Sequence, residues 1–305
     1  DNLVAVFATA SASEAIRPVM TGIETVDIDV TDGHANATTT TLNLDQSTDV
    51  TSIRIGNNAF DTAANTFDVT NVGTAASLTV YDTAGHATAN ANNYTMTYSG
   101  VTGTSDTATV NVEMSAADGA LGTITIANVE TVTANATGGY DATYGLTTTD
   151  ATTLTITAAA DAATDATGGT VTATAVLATT LNVTSATDLT IDDNTNSLIK
   201  VNDVNIDSTV VDEVVTITSL TTTATAATAD AVTIDITGAG DASVGVDTNF
   251  GTYNATTNAD TVTVTGTGTG DVTVAMNTTA ANIMTTGDGN DTLTIASGQV
   301  LNNVD

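Results

Sequence analysis

Alternation of apolar and polar residues, in short runs broken by Gly, Asn, Asp and Thr, recurs from one end of this chain to the other. It is plainest in Thr153–Thr157 (TLTIT), Thr170–Ala175 (TVTATA), Thr180–Thr184 (TLNVT), Asp188–Ile191 (DLTI) and Leu198–Ile206. A period of two is the pattern of a strand with one buried face, because successive side chains point to opposite sides. Here Leu, Ile or Val takes one side and Thr, Asn or Asp the other. Earlier runs are Ile23–Val30, Thr40–Leu44, Val50–Ile55, Ser77–Tyr81, Tyr94–Tyr98, Thr107–Met114 and Gly122–Val132. Later ones are Val214–Ser219, Ala231–Thr237, Thr261–Thr265, Asp271–Ala275 and Thr292–Ile295. Threonine supplies 73 of the 305 residues, and β-branched side chains suit a pleated surface. The chain is expected to be all-β.

Evenly spaced short strands fit two architectures, an array of β-sandwich domains or a β-helix. Tight hairpins need Asn-Gly or Asp-Gly turns. Those are scarce, and Pro18 is the only proline. Small inward residues suit a solenoid, in which each coil covers the core of the next. The expectation is an elongated parallel β-helix or β-solenoid over residues 21–305 with short Gly/Asp turns, the sandwich array being the alternative. Residues 1–20 read as an irregular or short helical lead-in, with Ser11 or Ser13 as a helix cap before Glu14. A weak boundary is expected near 135–150, and Ala89–Asn93 reads as a surface loop.

A formal charge of −32 excludes an ordinary nucleic-acid or anionic-membrane partner, since both require a basic surface. Thirty of the 35 acids are Asp, a short residue that tolerates tight turns and is a hard oxygen ligand for Ca²⁺. Cysteine is absent, so stability must come from packing, cations or assembly. No apolar run is long enough for a transmembrane helix. The start at Asp1 suggests a piece of a longer chain.

Three segments pair a glycine–aspartate turn with a following strand: Thr237–Val244 (TGAGDASV), Thr267–Val274 (TGTGDVTV) and Thr286–Leu293 (TGDGNDTL). Asn258–Val262 (NADTV) is the same turn without its glycines. Glycines permit a tight turn with inward carbonyls, and Asp adds a carboxylate. The candidate metal ligands and turn formers are therefore Gly238, Gly240, Asp241, Asp260, Gly268, Gly270 and Asp271. In the last turn they are Gly287, Asp288, Gly289, Asn290 and Asp291. Asp241, Asp271 and Asp291 are thirty and twenty residues apart, so neighbouring coils would have to complete any site.

These turns resemble the RTX (hemolysin-type) calcium-binding nonapeptide G-G-x-G-x-D-x-U-x, best at Gly287, Gly289, Asp291 and Leu293, with Thr286 in place of the first glycine. Gly22–Val30 (GIETVDIDV) and Asn128–Val132 (NVETV) are similar to the G-[IV]-E-T-[VMI] strand of RTX-type bacterial surface-layer proteins. The resemblance implies Ca²⁺ as cofactor, secretion, an extracellular cell-surface location and self-assembly into a lattice or homo-oligomer. A cell-surface polysaccharide is a further partner it allows. A segment of a large RTX adhesin or biofilm-matrix protein is the alternative. Glu24 and Glu130 share a context, either as Ca²⁺ ligands or as hydrogen-bond acceptors for coil backbones.

Catalytic signals are poor, and the chain is not expected to be an enzyme. His34 (DGHANA) and His86 (AGHATAN) read as duplicated loops; a zinc site needs three or four ligands. Gly266–Gly270 (GTGTG) has no nearby Lys or Arg to meet a phosphate. Paired carboxylates such as Asp192 and Asp193 could serve a glycosidase, but aromatics to stack sugars make up 3% of the chain. Asn-x-Thr sequons at Asn36, Asn135, Asn182 and Asn254 are what a Thr- and Asn-rich chain produces by chance.

Overall fold

The computed structural model describes the chain except residues 10–12, 33–38, 57–64, 74, 83–91, 102, 115–119, 138–141, 160–167, 194–196, 199, 221–230, 247–260, 277–280, 296–300 and 305. All regular elements among the described residues are strands. No helix is long and apolar enough to cross a membrane. The chain divides into two compact units, Asp1–Ala151 and, from Thr152–Ala160 onward, Ala166–Asp305.

In the first unit one sheet holds β1 (Asn2–Thr9), β3 (Thr25–Asp32), β5 (Ser52–Gly56), β7 (Ser77–Asp82), β9 (Thr107–Met114) and β11 (Thr131–Thr137). The other holds β2 (Ser13–Ile16), β4 (Thr39–Asn43), β6 (Thr66–Val72), β8 (Asn93–Tyr98), β10 (Ala120–Ala127) and β12 (Thr143–Thr148). The second unit repeats the arrangement. Its odd strands are β13 (Thr153–Ala158), β15 (Thr180–Ser185), β17 (Asp203–Ser208), β19 (Ala231–Gly238), β21 (Thr261–Gly266), β23 (Ala281–Thr285) and β25 (Leu301–Val304). Its even strands are β14 (Gly169–Thr174), β16 (Leu189–Asp193), β18 (Val214–Leu220), β20 (Asp241–Val246), β22 (Val272–Met276) and β24 (Thr292–Ile295).

Within each unit a strand pairs in parallel with the strand two places on, so each unit coils with one strand of every coil in each sheet. The chain is a β-solenoid. Parallel pairing rules out the sandwich array, whose sheets are antiparallel. Paired residues lie between 19 positions apart (Thr273 and Thr292) and 32 apart (Leu78 and Val110). Coil length therefore varies while strand register is kept.

That register stacks like on like. Ile28, Ile55, Val80 and Val112 form one inward column of the first unit. Leu154, Leu181, Val204, Ile234 and Val264 form one in the second. All nine are fully buried. A coil cannot bury its apolar face alone, so the aligned columns are the core. Tyr98 and Tyr144 lie among these buried residues, and burial pushes both phenols well above their ordinary range.

Two expectations are corrected. Residues 1–20, expected to be irregular or helical, carry β1 and β2, which pair with β3 and β4. Leu3, Ala5 and Phe7 alternate with the outward Val4 and Val6, and this β-pattern overrides any cap at Ser13. Asn92, assigned to a surface loop, is buried, and its side-chain oxygen accepts the Asn65 backbone N–H at 3.0 Å. A polar side chain can sit inside because a stacked coil supplies its partner. The stretch 135–150 contains the end of β11 and all of β12, and the division between units falls after Ala151.

Truncating one column residue should act on two coil interfaces at once. Ile55→Ala is expected to cost about 2–5 kcal/mol, read from denaturant midpoints. The outward Thr95→Ala should stay within about 0.5 kcal/mol of the parent.

Candidate functional site

Every coil turns twice: at a first corner, from an odd strand to the next even one, and at a second corner back to the following odd strand. Among the described residues, side chains at corners of both kinds reach the neighbouring coil.

The three glycine–aspartate turns all occupy first corners, between β19 and β20, β21 and β22, and β23 and β24. Their thirty- and twenty-residue separations equal the lengths of the coils between them, set by the pairs Thr233 with Thr263 and Thr261 with Ala281. Turns that are not in tandem along the chain are therefore stacked in space. The glycines form two columns. A Cβ on Gly268 would strike the Gly238 carbonyl oxygen, and one on Gly287 that of Gly268. Gly270 and Gly289 lie in the same way over the Gly240 and Gly270 carbonyls. Gly238 also has φ +100°, a conformation that side chains rarely adopt. Glycine is required here by closeness more than by turn shape.

The carboxylates are committed along the stack. Oδ1 of Asp241 accepts the Asp271 N–H at 2.8 Å, and Oδ1 of Asp271 accepts the Asn290 N–H at 2.7 Å. Asp291 reaches back and accepts the Val272 N–H at 2.9 Å. In register, Asn290 stands over Asp271 and Asp291 over Val272. Asp291 is thus one position out of the column that its motif suggested, because an extra residue separates it from Gly289. Two coils before Asp241, Asp188 accepts the Val214 N–H at 2.6 Å. Asp288 and the glycines around it are exposed, and Asp260 lies outside the described residues.

As a cation site, this column offers only oxygen donors, the chemistry that suits Ca²⁺ rather than a soft metal. Asp241 and Asp271 each spend one oxygen on a backbone N–H. Among the described residues no three His, Cys, Asp or Glu side chains converge as a metal-binding group. The residues fit a cation only where glycine-turn carbonyls make up the shell.

The second corner explains the repeated Glu-Thr phrase. Gly22 (φ 71°) and Asn128 (φ 67°) hold the left-handed position that opens it, as Asp49 (φ 72°) does in an intervening coil. The next residue turns inward. The residue after that donates its N–H to a carbonyl of the previous coil, which also accepts the following N–H. Asp1 serves Glu24 and Thr25 in this way, Glu24 serves Thr51 and Ser52, and Asp106 serves Glu130 and Thr131. In the second unit Thr152 serves Thr179 and Thr180, and Thr179 serves Asn202 and Asp203. The glutamates close the clip. Oε2 of Glu130 accepts the Asp106 N–H at 3.0 Å, and Glu24 meets the Asp1 nitrogen. Of the two roles open to these glutamates, Glu130 takes the backbone acceptor, while Glu24 pairs with the terminal ammonium.

Sequence reasoning missed a second carboxylate at this corner. Asp49 accepts the Gly22 N–H at 3.2 Å and Asp150 the Asn128 N–H at 2.9 Å, each behind a threonine that donates its hydroxyl to it. The signal was the Thr-Asp pair, Thr48–Asp49 and Thr149–Asp150, one coil after a left-handed residue. The Thr149 hydroxyl, then the Asn128 N–H, hold the Asp150 carboxyl below its usual range. His34 and His86 lie outside the described residues, as do Asn36 and Asn254. The amides of Asn135 and Asn182 are tied into ladders with Asn111 and Thr155. Asp192 accepts the Thr218 hydroxyl and Asp193 the Ser197 and Leu198 N–H groups.

Comparison with protein-family models, with curated proteins and with solved structures finds no match to the chain.

A depressed carboxylate stabilises the fold above its unfolded pKa, and that contribution is lost as pH falls through the folded value. Asp150→Asn should therefore lower the melting temperature at pH 7 and narrow the gap to the parent between pH 5 and pH 3. A gap that stays constant over that range would show that Asp150 is not a charged acceptor.

Proposed function

We propose that this chain is a structural, non-catalytic segment of a secreted cell-surface protein, stiffened by Ca²⁺ and assembling with copies of itself. The observation that carries the reading is the register of the glycine–aspartate turns with the coil period. Sequence motifs thirty and twenty residues apart become adjacent layers of oxygen donors at one corner. The likeness of these turns, and of the Glu-Thr phrase, to RTX-type surface-layer proteins supports the same assignment.

The physical role of the cation follows from charge. At −32 the chain repels itself, which opposes both tight coiling and side-by-side approach. Ca²⁺ held by a second carboxylate oxygen and turn carbonyls would neutralise charge between Gly238–Asp241, Gly268–Asp271 and Gly287–Asp291. It would draw those coils together and let copies approach. Hard-oxygen coordination with millimolar-range affinity is the regime of extracellular calcium modules.

In the test, protein stripped with EDTA is melted alone and in millimolar Ca²⁺, with Mg²⁺ as the control for simple screening. A melting midpoint that rises by at least several degrees in Ca²⁺, and less in Mg²⁺, is the expected result. Asp241→Asn with Asp271→Asn should flatten that response. An identical midpoint in all three conditions removes calcium from the reading. Electron microscopy of the Ca²⁺ sample separates ordered sheets or tubes from isolated particles; the latter fit an adhesin segment.

A further inference from the structure

The two outer faces of the first unit differ in what their side chains do. On the odd strands the outward groups are tied to one another. Arg54 binds Glu113 at 3.2 Å and lies 5.0 Å from the centre of the Tyr81 ring, while the Tyr81 hydroxyl donates to Asp27 at 3.3 Å. Beside them Asn135 donates to Asn111 at 3.1 Å, and Asn111 to Thr79 at 3.3 Å. That face is charged: Asp27, Asp29, Arg54 and Glu113 all lie on it.

The even face is the opposite. On β4, β6, β8, β10 and β12 the outward positions are mostly threonine, and Asp68 is the one charged residue among them. Register lines the threonines up: Thr41 pairs with Asp68, Asp68 with Thr95, Thr95 with Thr125 and Thr125 with Thr147. Among the described residues, the hydroxyls of Thr41, Thr66, Thr95, Thr97, Thr125 and Thr147 find no hydrogen-bond partner. They are half-buried, held by their neighbours in fixed rows. A chain of −32 thus carries an almost uncharged plate of hydroxyls, each able to donate and to accept.

We propose that this plate, the outward face of β4, β6, β8, β10 and β12, is the surface on which a second copy of the chain docks, plate against plate. The proposal rests on the self-assembling reading above and names its interface. Three properties select a second copy as the occupant. First, like charge bars other approaches: corner and odd-face carboxylates repel, and only charges within a Debye length of about 8 Å count at physiological salt. Facing sheets about 10 Å apart would meet here with one Asp68 from each copy. Second, a hydroxyl both donates and accepts, so a threonine plate is complementary to itself without any change of sequence. Third, both plates share one strand spacing, so rows on one copy match rows on the other. Five strands about 4.8 Å apart and about six residues long give roughly 450 Å² per copy. That is the scale of a weak contact, which gains strength when repeated across an array.

The absence of cysteine makes the test direct. Thr125→Cys places a thiol on the plate, and Thr133→Cys places one on the odd face at a similarly half-buried site. Each variant is treated with a short bis-maleimide, in Ca²⁺ and in EDTA, and the parent is followed by sedimentation over a range of concentrations. The expected result is a covalent dimer from Thr125→Cys at several times the yield from Thr133→Cys. Thr95→Asp should weaken self-association at least tenfold, and Thr79→Asp on the odd face should weaken it far less. Far-UV circular dichroism identifies any variant that fails to fold, and the two cross-linking variants then decide. Equal yields from both thiols, with the parent self-associating, overturn the plate and leave self-assembly standing. A parent that stays monomeric at the highest concentration in Ca²⁺ overturns both. A calcium-dependent melting midpoint without cross-linking overturns the plate alone.

Discussion

The structure depends on one constraint: each coil must present its backbone in register to the coil before and the coil after. Parallel ladders provide that along the strands. At the corners, where the ladder is interrupted, side chains replace it. Asp49, Asp150, Asp188, Asp241, Asp271 and Glu130 each accept an N–H from a neighbouring coil. A buried or half-buried N–H left without an acceptor costs as much as a lost hydrogen bond. The acidic residues are therefore part of the stacking machinery itself and not only a solubilising coat.

This changes how the charge is understood. A chain with 35 acids against three Lys and Arg invites the idea that metal alone makes it tolerable. At the corners, backbone N–H groups already meet one oxygen of each of these carboxylates. What remains for a cation is the longer-range repulsion between committed carboxylates, and the second oxygen that each retains. Calcium in this reading tightens coils that the backbone already aligns.

Much of the fold could be read from the residues. Alternation identified most strands, because one buried face imposes a period of two regardless of coil length. Scarce hairpin turns and small inward residues pointed to stacked coils over sandwiches. The lead-in was misread because Ser13 and Glu14 look like a helix start, while the decisive pattern, Leu3, Ala5 and Phe7 inward, spans few residues. The site was legible only in part. Asp241 and Asp271 stand in one column because their thirty-residue spacing is a coil length, whereas from sequence alone that gap requires other donors from neighbouring coils. Asp291 does not, because one extra residue after Gly289 shifts its register and local sequence carries no signal of the offset. The pairing of Asp49 with Gly22 and of Asp150 with Asn128 joins residues 27 and 22 positions apart. The Thr-Asp pair is visible locally, but its partner a coil away is not.

Coil length ranges from 19 to 32 residues while the inward columns stay aligned. Insertions and deletions are absorbed in the connecting segments, leaving strand partners and core layers untouched. A lineage of such chains can drift in length at every coil and keep one cross-section, so kinship among them would be preserved in the order of column residues rather than in any countable period.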